Sequence, residues 1–155
     1  MTNGQEPLYS RIALAYDTLA ADDGFLQPFA VLNMHLKADL LVLSACNTAL
    51  GEISKGEGIL GLTRALQYAG IPSLVVSQWN VDYRATSMIM TSFYSNLKKG
   101  WSKSRALQQA KLEYLKTAKG KFLDPFYRTQ FILIGNTGTS IIYHSLNILY
   151  RISSN

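Results

Sequence analysis

The stretch Leu40–Gly51, LLVLSACNTALG, joins a run of aliphatic residues to a polar segment that ends in glycine. Consecutive aliphatic residues over 40–43 are typical of a central β-strand that is buried on both faces. Cys46, the chain's single cysteine, comes soon after that strand. Such a cysteine is either a nucleophile at the end of a strand or a small apolar residue in a core, and the stretch alone leaves both alternatives open.

Strands and helices alternate on both sides of this stretch. We predict further strands over 10–15, 71–79 and 131–135, and helices over 25–36, 59–69, 81–100 and within 98–121. The helix over 25–36 rests on the spacing of Phe29, Leu32 and Leu36. This order predicts an α/β fold with a mainly parallel sheet and helices on both faces. The residues expected on buried central strands are Leu41, Val42, Leu43, Leu74, Val75, Val76, Ile132 and Leu133.

Composition limits the class of protein. A chain of 155 residues is long enough for one domain with its own core, and 48% hydrophobic against 16% charged residues excludes a disordered tail. No apolar run approaches the ~20 residues that span a bilayer, and no signal peptide is visible, so we expect no membrane partner. One cysteine forms no internal disulfide, which fits a cytoplasmic location.

The net charge of +5 raises the question of a nucleic-acid partner. Eight of the fifteen basic residues lie within 98–121, interleaved with apolar residues at helical spacing. This pattern predicts an amphipathic helix with a basic, solvated outer face. No nucleic-acid motif accompanies it, and we expect no nucleic-acid partner.

Two polar segments are expected at the same edge of the sheet. Parallel sheets bind ligands at the carboxyl ends of their strands. Cys46 follows one strand at that edge, and the segment SQWNVDY over 77–83 follows the next strand. Their convergence favours a functional role for Cys46.

The linked motifs DLLVLSACNTALG, KGEGILGLTRALQYAGIPSLVVSQWNV, ATSMIMTSFYSNLKKG, ALQQAKLEYL and DPFYRTQFILIGN together resemble the CHAT domain. This caspase-like cysteine peptidase family is usually found beside tetratricopeptide repeats. The resemblance implies a caspase-like three-layer sandwich, a protein or peptide substrate, and a tetratricopeptide-repeat region as a possible partner in a longer protein. It assigns 1–136 to the C-terminal part of a CHAT domain and leaves 137–155 as a tail of uncertain structure. Neither a cofactor nor a metal is expected.

The resemblance makes Cys46 the catalytic nucleophile, paired in the family with a histidine on an earlier strand that ends in His-Gly. That motif is expected to precede Met1, as does the position ~50 residues before the cysteine that caspases use. His35 is expected roughly 23 Å from Cys46 at the opposite edge of the sheet, and His144 lies in the tail. We therefore expect a domain that is truncated at its N-terminus and inactive as it stands. The alternative is a non-catalytic protein-interaction module of the same fold.

The residues expected to bind substrate are Ser77, Trp79, Asp82 and Tyr83. Relatives usually have an acidic residue at the position of Tyr83, and Asp82 stands one place earlier. A preference for Arg or Lys before the scissile bond is therefore weaker than the resemblance alone implies. For Trp79, plain core packing is an equal alternative. The glycines of GEG over 56–58 suit a tight loop before a helix. Glu57 is expected to cap that helix, with contact to substrate as the alternative.

Overall fold

The structure is a computed structural model that describes residues 12–13, 25–26, 28–44, 55–79 and 82–139. Outside the described part lie Cys46, the side chain of Glu57, and most of the tail, including His144. The strands are β1 Ile12–Ala13, β2 Phe25–Leu26, β3 Leu41–Leu43, β4 Ser73–Ser77 and β5 Phe131–Gly135. The helices are α1 Pro28–Leu32, α2 Lys55–Tyr68, α3 Tyr83–Lys98, α4 Lys103–Thr117 and α5 Pro125–Arg128, with a 3₁₀ helix at Gly120–Leu123.

The chain divides into two compact units. The described elements of the first unit are the antiparallel pair β1–β2 and the helices α1 and α2. The second unit holds the strands β3 to β5, the helices α3 to α5 and the 3₁₀ helix. Among the residues that the structure describes, no helix is long and apolar enough to cross a membrane.

In the first unit, α2 and the turn after it bury Leu62, Ala65, Leu66 and Ala69. Its carboxyl end is closed by Gly70, which has a φ of 106°, and by the Leu36 amide, which donates to the Ala69 carbonyl over 2.8 Å. A Cβ at Gly70 would lie 3.0 Å from the Leu36 carbonyl oxygen, so this turn needs glycine.

The prediction of a helix over 25–36 is wrong in its length. Residues 25–26 form β2, and α1 runs only from Pro28 to Leu32. Pro28 suits the first position of a helix but favours extended backbone before it. The predicted apolar stripe is also wrong, because Phe29 is 59% and Leu32 is 45% exposed while Val31 is fully buried.

The predicted loop over 56–58 lies inside the first turns of α2. The prediction of a loop at these positions is therefore wrong, and Glu57 has the third position of the helix.

The second unit is built on a mixed three-stranded sheet of order β3-β4-β5. β3 runs parallel to β4, with Leu43 opposite Val76, and β5 runs antiparallel to β4, with Val75 opposite Leu133. The α/β class is confirmed. The expected parallel arrangement is found between β3 and β4, and β5 is the strand that departs from it.

β4 is buried along its whole length, as predicted. The predicted full burial of β3 and of Ile132 and Leu133 in β5 is wrong, since these residues are only partly buried. In the described part of the chain, β3 and β5 each pair on one side only, with β4 between them. The outer strands of a sheet keep one edge unpaired, which explains their exposure.

The helices α3 and α4 pack on the face of the sheet that carries Val75 and Phe131. Large residues of α3 meet small residues of α4 at this contact. Ile89 and Phe93 from α3, like Ala106 and Ala110 from α4, are fully buried. Alanines let α4 approach closely while the larger side chains fill the space between helix and sheet.

The prediction that the basic residues of 98–121 share a solvated face is wrong for two of them. Lys103 is fully buried, and its Nζ lies 3.1 Å from a carboxylate oxygen of Asp39, which directly precedes Leu40 and β3. Lys111 is partly buried and donates to the Phe131 carbonyl over 2.8 Å. Burial lowers the pKa of Lys111. Helical spacing in fact places Lys103 on the same stripe as the buried Ala106, Leu107, Ala110 and Tyr114.

Polar side chains also join α3 to α4. Glu113 accepts hydrogen bonds from Ser92 and, over 3.1 Å, from Gln109. The Lys99 ammonium donates to the buried Asn96 side chain over 3.2 Å. The Ser92 and Gln109 hydrogen bonds, with a smaller contribution from the charge of Lys99, lower the pKa of Glu113.

The ion pair gives a prediction about stability. Asp39→Ala leaves the Lys103 ammonium buried without its carboxylate, and we expect the free energy of unfolding to fall by about 1–3 kcal/mol. Lys103→Met removes the buried charge and leaves Asp39 partly in solvent, so it should cost less. The Asp39→Ala, Lys103→Met double variant should match Lys103→Met alone. Urea unfolding measures all three, with the exposed Lys116→Met as control. Equal losses for Asp39→Ala in both backgrounds would contradict the pairing.

The hydrogen bonds of Glu113 predict that stability depends on pH. The pKa of Glu113 is lower in the folded chain than its ordinary value of 4.5, so the contribution of Glu113 to stability is present above that value. The contribution is lost as the pH falls through the lower, folded-state pKa. The difference in unfolding free energy between the natural chain and Glu113→Gln should therefore be largest near neutral pH and shrink in acid. A difference that stays constant from about pH 7 to about pH 3 would contradict this.

Candidate functional site at the carboxyl end of β4

The site begins where β4 ends. Ser77 is the last residue of the strand, is buried, and its hydroxyl donates to the Trp79 carbonyl over 2.7 Å. The Gln78 amide continues the ladder with β5 by donating to the Gln130 carbonyl over 2.8 Å. Ser77 therefore fixes the path of the chain at the point where it leaves the sheet, and its oxygen is engaged within the turn.

Trp79 is partly buried and packs against α5. Its indole ring stacks on Phe126 with 5.5 Å between ring centroids and 24° between planes. Its Nε1–H donates to the Phe126 carbonyl over 3.1 Å. Part of the indole therefore packs against Phe126 and part reaches solvent, so both core packing and a substrate contact stay open for Trp79.

α5 is held in place by a cap. Asp124 precedes Pro125, and its carboxylate accepts from the Phe126 amide over 2.8 Å. Aspartate before proline is a strong start signal for a helix, since proline at the first position needs no partner for an amide. The sequence thus contained the signal for α5, but not for its contact with Trp79.

Asp82 is the N-cap of α3. Its carboxylate accepts from the Arg84 amide over 2.8 Å, and its carbonyl accepts from the Thr86 amide over 3.1 Å. Tyr83 is the first residue of the helix and is 74% exposed. A carboxylate at a helix N-terminus satisfies a free amide and interacts favourably with the helix dipole. Asp82 therefore has a structural role beside any contact with substrate.

A buried tyrosine lies under this region. The Tyr114 hydroxyl donates to the Phe122 carbonyl over 3.0 Å, and burial raises the pKa of Tyr114, with further contributions from Tyr127 and the charge of Asp82. Tyr127 packs edge-on against Phe126, with 5.6 Å between centroids, and is tilted against Phe122. Aromatic rings thus extend from the end of β4 across α5.

The structure brings Ser77, Trp79, Asp82 and Tyr83 to the end of β4 and the start of α3. It also adds Phe126, which the sequence reasoning missed. Cys46 lies outside the described residues. His35 is exposed and precedes β3 along the chain. Within the described ranges, no group of three or more His, Cys, Asp or Glu side chains is placed to hold a metal ion.

The described elements define a mixed α/β fold. Polar and aromatic residues lie at the carboxyl end of β4, the central strand of its three-stranded sheet. The family model of the CHAT domain matches residues 2–136, and the chain belongs to this family. The predicted resemblance is confirmed.

Two curated relatives also match most of the chain. Tetratricopeptide repeat protein 28 of Mus musculus and that of Homo sapiens are each 32% identical over 121 residues, which cover 75% of this chain. The aligned region is 5% of the length of either relative. No solved structure matches the chain significantly.

The cap at α3 allows the two roles of Asp82 to be separated. Asp82→Ala should lower the free energy of unfolding by about 1 kcal/mol, whereas Asp82→Asn should stay close to the natural chain, because asparagine caps as well as aspartate. Thermal and urea unfolding measure both variants. If Asp82→Asn destabilises as much as Asp82→Ala, the carboxylate charge rather than the cap hydrogen bond stabilises this turn.

Proposed function

We propose that this chain is the C-terminal part of a caspase-like cysteine peptidase domain in which Cys46 is the nucleophile. The observation that carries the proposal is the parallel register of β3 and β4, with Leu43 opposite Val76. The chain leaves β3 towards Cys46 at the same edge at which it leaves β4 towards Trp79. Cys46 is three residues beyond Leu43, so its Cα is within about 11 Å of that strand end.

The proposed chemistry is acyl transfer from a peptide bond. The Cys46 thiolate attacks the carbonyl carbon, and the carbonyl oxygen takes the negative charge, which the Cys46 amide stabilises by donating a hydrogen bond. The nitrogen leaves as an amine once it is protonated, and water then hydrolyses the thioester. The substrate is a protein or peptide, and Ser77, Trp79, Asp82 and Tyr83 border its path.

A base is needed to form the thiolate at neutral pH, because an ordinary thiol has a pKa near ~8.5. The chain has two histidines, and we propose that neither serves Cys46. His35 is exposed and belongs to the turn between α1 and β3, and His144 is beyond the residues that the family model matches. The proposed base is a histidine in a His-Gly segment N-terminal to these residues, as the family resemblance implies.

The caspase-like sandwich is part of the same proposal. It is supported by the α/β class, the parallel β3–β4 pair and the helical layer of α3 and α4 on one face. A chain with a single cysteine suits a reducing compartment such as the cytoplasm. The second candidate function, a non-catalytic interaction module, is favoured by the tetratricopeptide-repeat relatives.

The proposal predicts that the 155 residues alone have no significant peptidase activity. A chain extended at its N-terminus by a strand and a His-Gly segment should cleave peptides in a Cys46-dependent manner. The family resemblance implies that the glycine of the His-Gly segment supplies a second oxyanion donor. Loss of one such donor typically costs about 100- to 1,000-fold, and loss of the base adds to this without simple multiplication. Cleavage of a fluorogenic peptide library measures the activity, with Cys46→Ala and a His→Ala variant of the added segment as controls.

The outcomes separate the candidates. Cleavage by the extended chain that disappears in both control variants supports the peptidase. An extended, folded chain without any cleavage favours the interaction module. Cleavage by the 155 residues alone that Cys46→Ala abolishes would contradict the assignment of the base, and His144 would be the first residue to replace.

A further inference from the structure

An exposed aromatic ring stands beside the proposed substrate path. Phe126 is 48% exposed although one side of its ring stacks on Trp79 and the ring of Tyr127 packs against it at 89° between planes. Large apolar side chains are usually covered, and single exposed ones are common on protein surfaces. Phe126 differs from a randomly exposed residue because its position is fixed by several independent contacts.

Both backbone groups of Phe126 are already used. Its amide donates to the Asp124 carboxylate, and its carbonyl accepts from the Trp79 indole. A peptide that lies across this place therefore finds no free backbone group at Phe126, only the outer part of a ring. The ring is apolar, and its fixed position means that little side-chain freedom is lost when it is covered.

We infer that Phe126, stacked on Trp79, forms a subsite for a large apolar side chain of the peptide substrate. This inference rests on the proposed function, because it takes the end of β4 as part of the substrate path. Phe126 is then a specificity-determining residue that acts by contact and takes no part in proton transfer. The subsite takes a residue of the peptide near the scissile bond. This residue is not the one directly before that bond, for which Asp82 and Tyr83 are the proposed neighbours.

A basic side chain is the competing occupant, since a cation also binds the face of an aromatic ring. Phenylalanine is a weaker partner for a cation than tryptophan, and the more favourable indole of Trp79 is partly covered. The apolar occupant is therefore the better fit, and an arginine in the test separates the two.

The test measures binding, which requires no catalysis. The two tryptophans of the chain are Trp79 and Trp101, so a Trp101→Phe chain reports on Trp79 alone by fluorescence. The probes are acetylated hexapeptide amide libraries in which one position at a time is fixed as leucine, arginine or serine. Binding is titrated for this chain and for Phe126→Ala, Phe126→Tyr and Leu123→Ala made in it. Leu123 is the matched control, as an apolar residue with a similar exposure of 51%.

We expect leucine at one position to bind about tenfold more tightly than serine at the same position. Phe126→Ala should remove that preference, while Phe126→Tyr and Leu123→Ala should keep it. Circular dichroism confirms that each variant is folded. The inference is overturned if no position distinguishes leucine from serine, if the preference survives Phe126→Ala, or if arginine is preferred to leucine.

This result is separable from the fate of the proposed function. A leucine preference that depends on Phe126 stands even if the extended chain shows no Cys46-dependent cleavage. Conversely, Cys46-dependent cleavage without any effect of Phe126→Ala on binding would overturn the subsite and leave the peptidase proposal intact.

Discussion

The second unit depends on the burial of β4 between two paired strands. Its residues are buried on both faces, and its backbone is paired with β3 on one side and β5 on the other. The helical layer packs on the face with Val75, and the buried Lys103 at the start of α4 is paired with Asp39 just ahead of β3. These contacts fix which loops leave the sheet at the same edge. The geometry of the site is therefore a consequence of how β4 is packed.

Much of this fold could be predicted from the sequence. The aliphatic run of β4 and the apolar stripes of α2 and α3 are strong periodic signals, and all three were found near their predicted positions. The length of α1 could not be predicted from the spacing of Phe29 and Leu32, because both side chains are exposed. Nor could the pairing of Lys103 with Asp39, since the two residues are distant in the sequence. Periodicity detects faces of helices, whereas pairing across the fold depends on tertiary contacts.

The place of the candidate site in the fold was predicted in part. Ser77, Trp79 and Asp82 follow from their place after a buried strand, and the structure adds how each is held. Phe126 was missed because its contact with Trp79 joins residues 47 positions apart. The capping of α3 by Asp82 was also missed, although aspartate before a helix is a known signal. The structural role of such a residue is recognised only when its partners are known.

The proposed position of Cys46, at the edge of the sheet where Trp79 emerges, can be tested directly because the chain has a single cysteine. A nitroxide label on Cys46 broadens the NMR signals of nearby protons, and the indole Nε1–H signals of Trp79 and Trp101 report two places. Trp101 follows the 16 residues of α3, which is about 24 Å long, and so lies far from the start of that helix. We expect strong broadening for Trp79 and little for Trp101. Broadening of Trp101 alone, or of neither tryptophan, would contradict it.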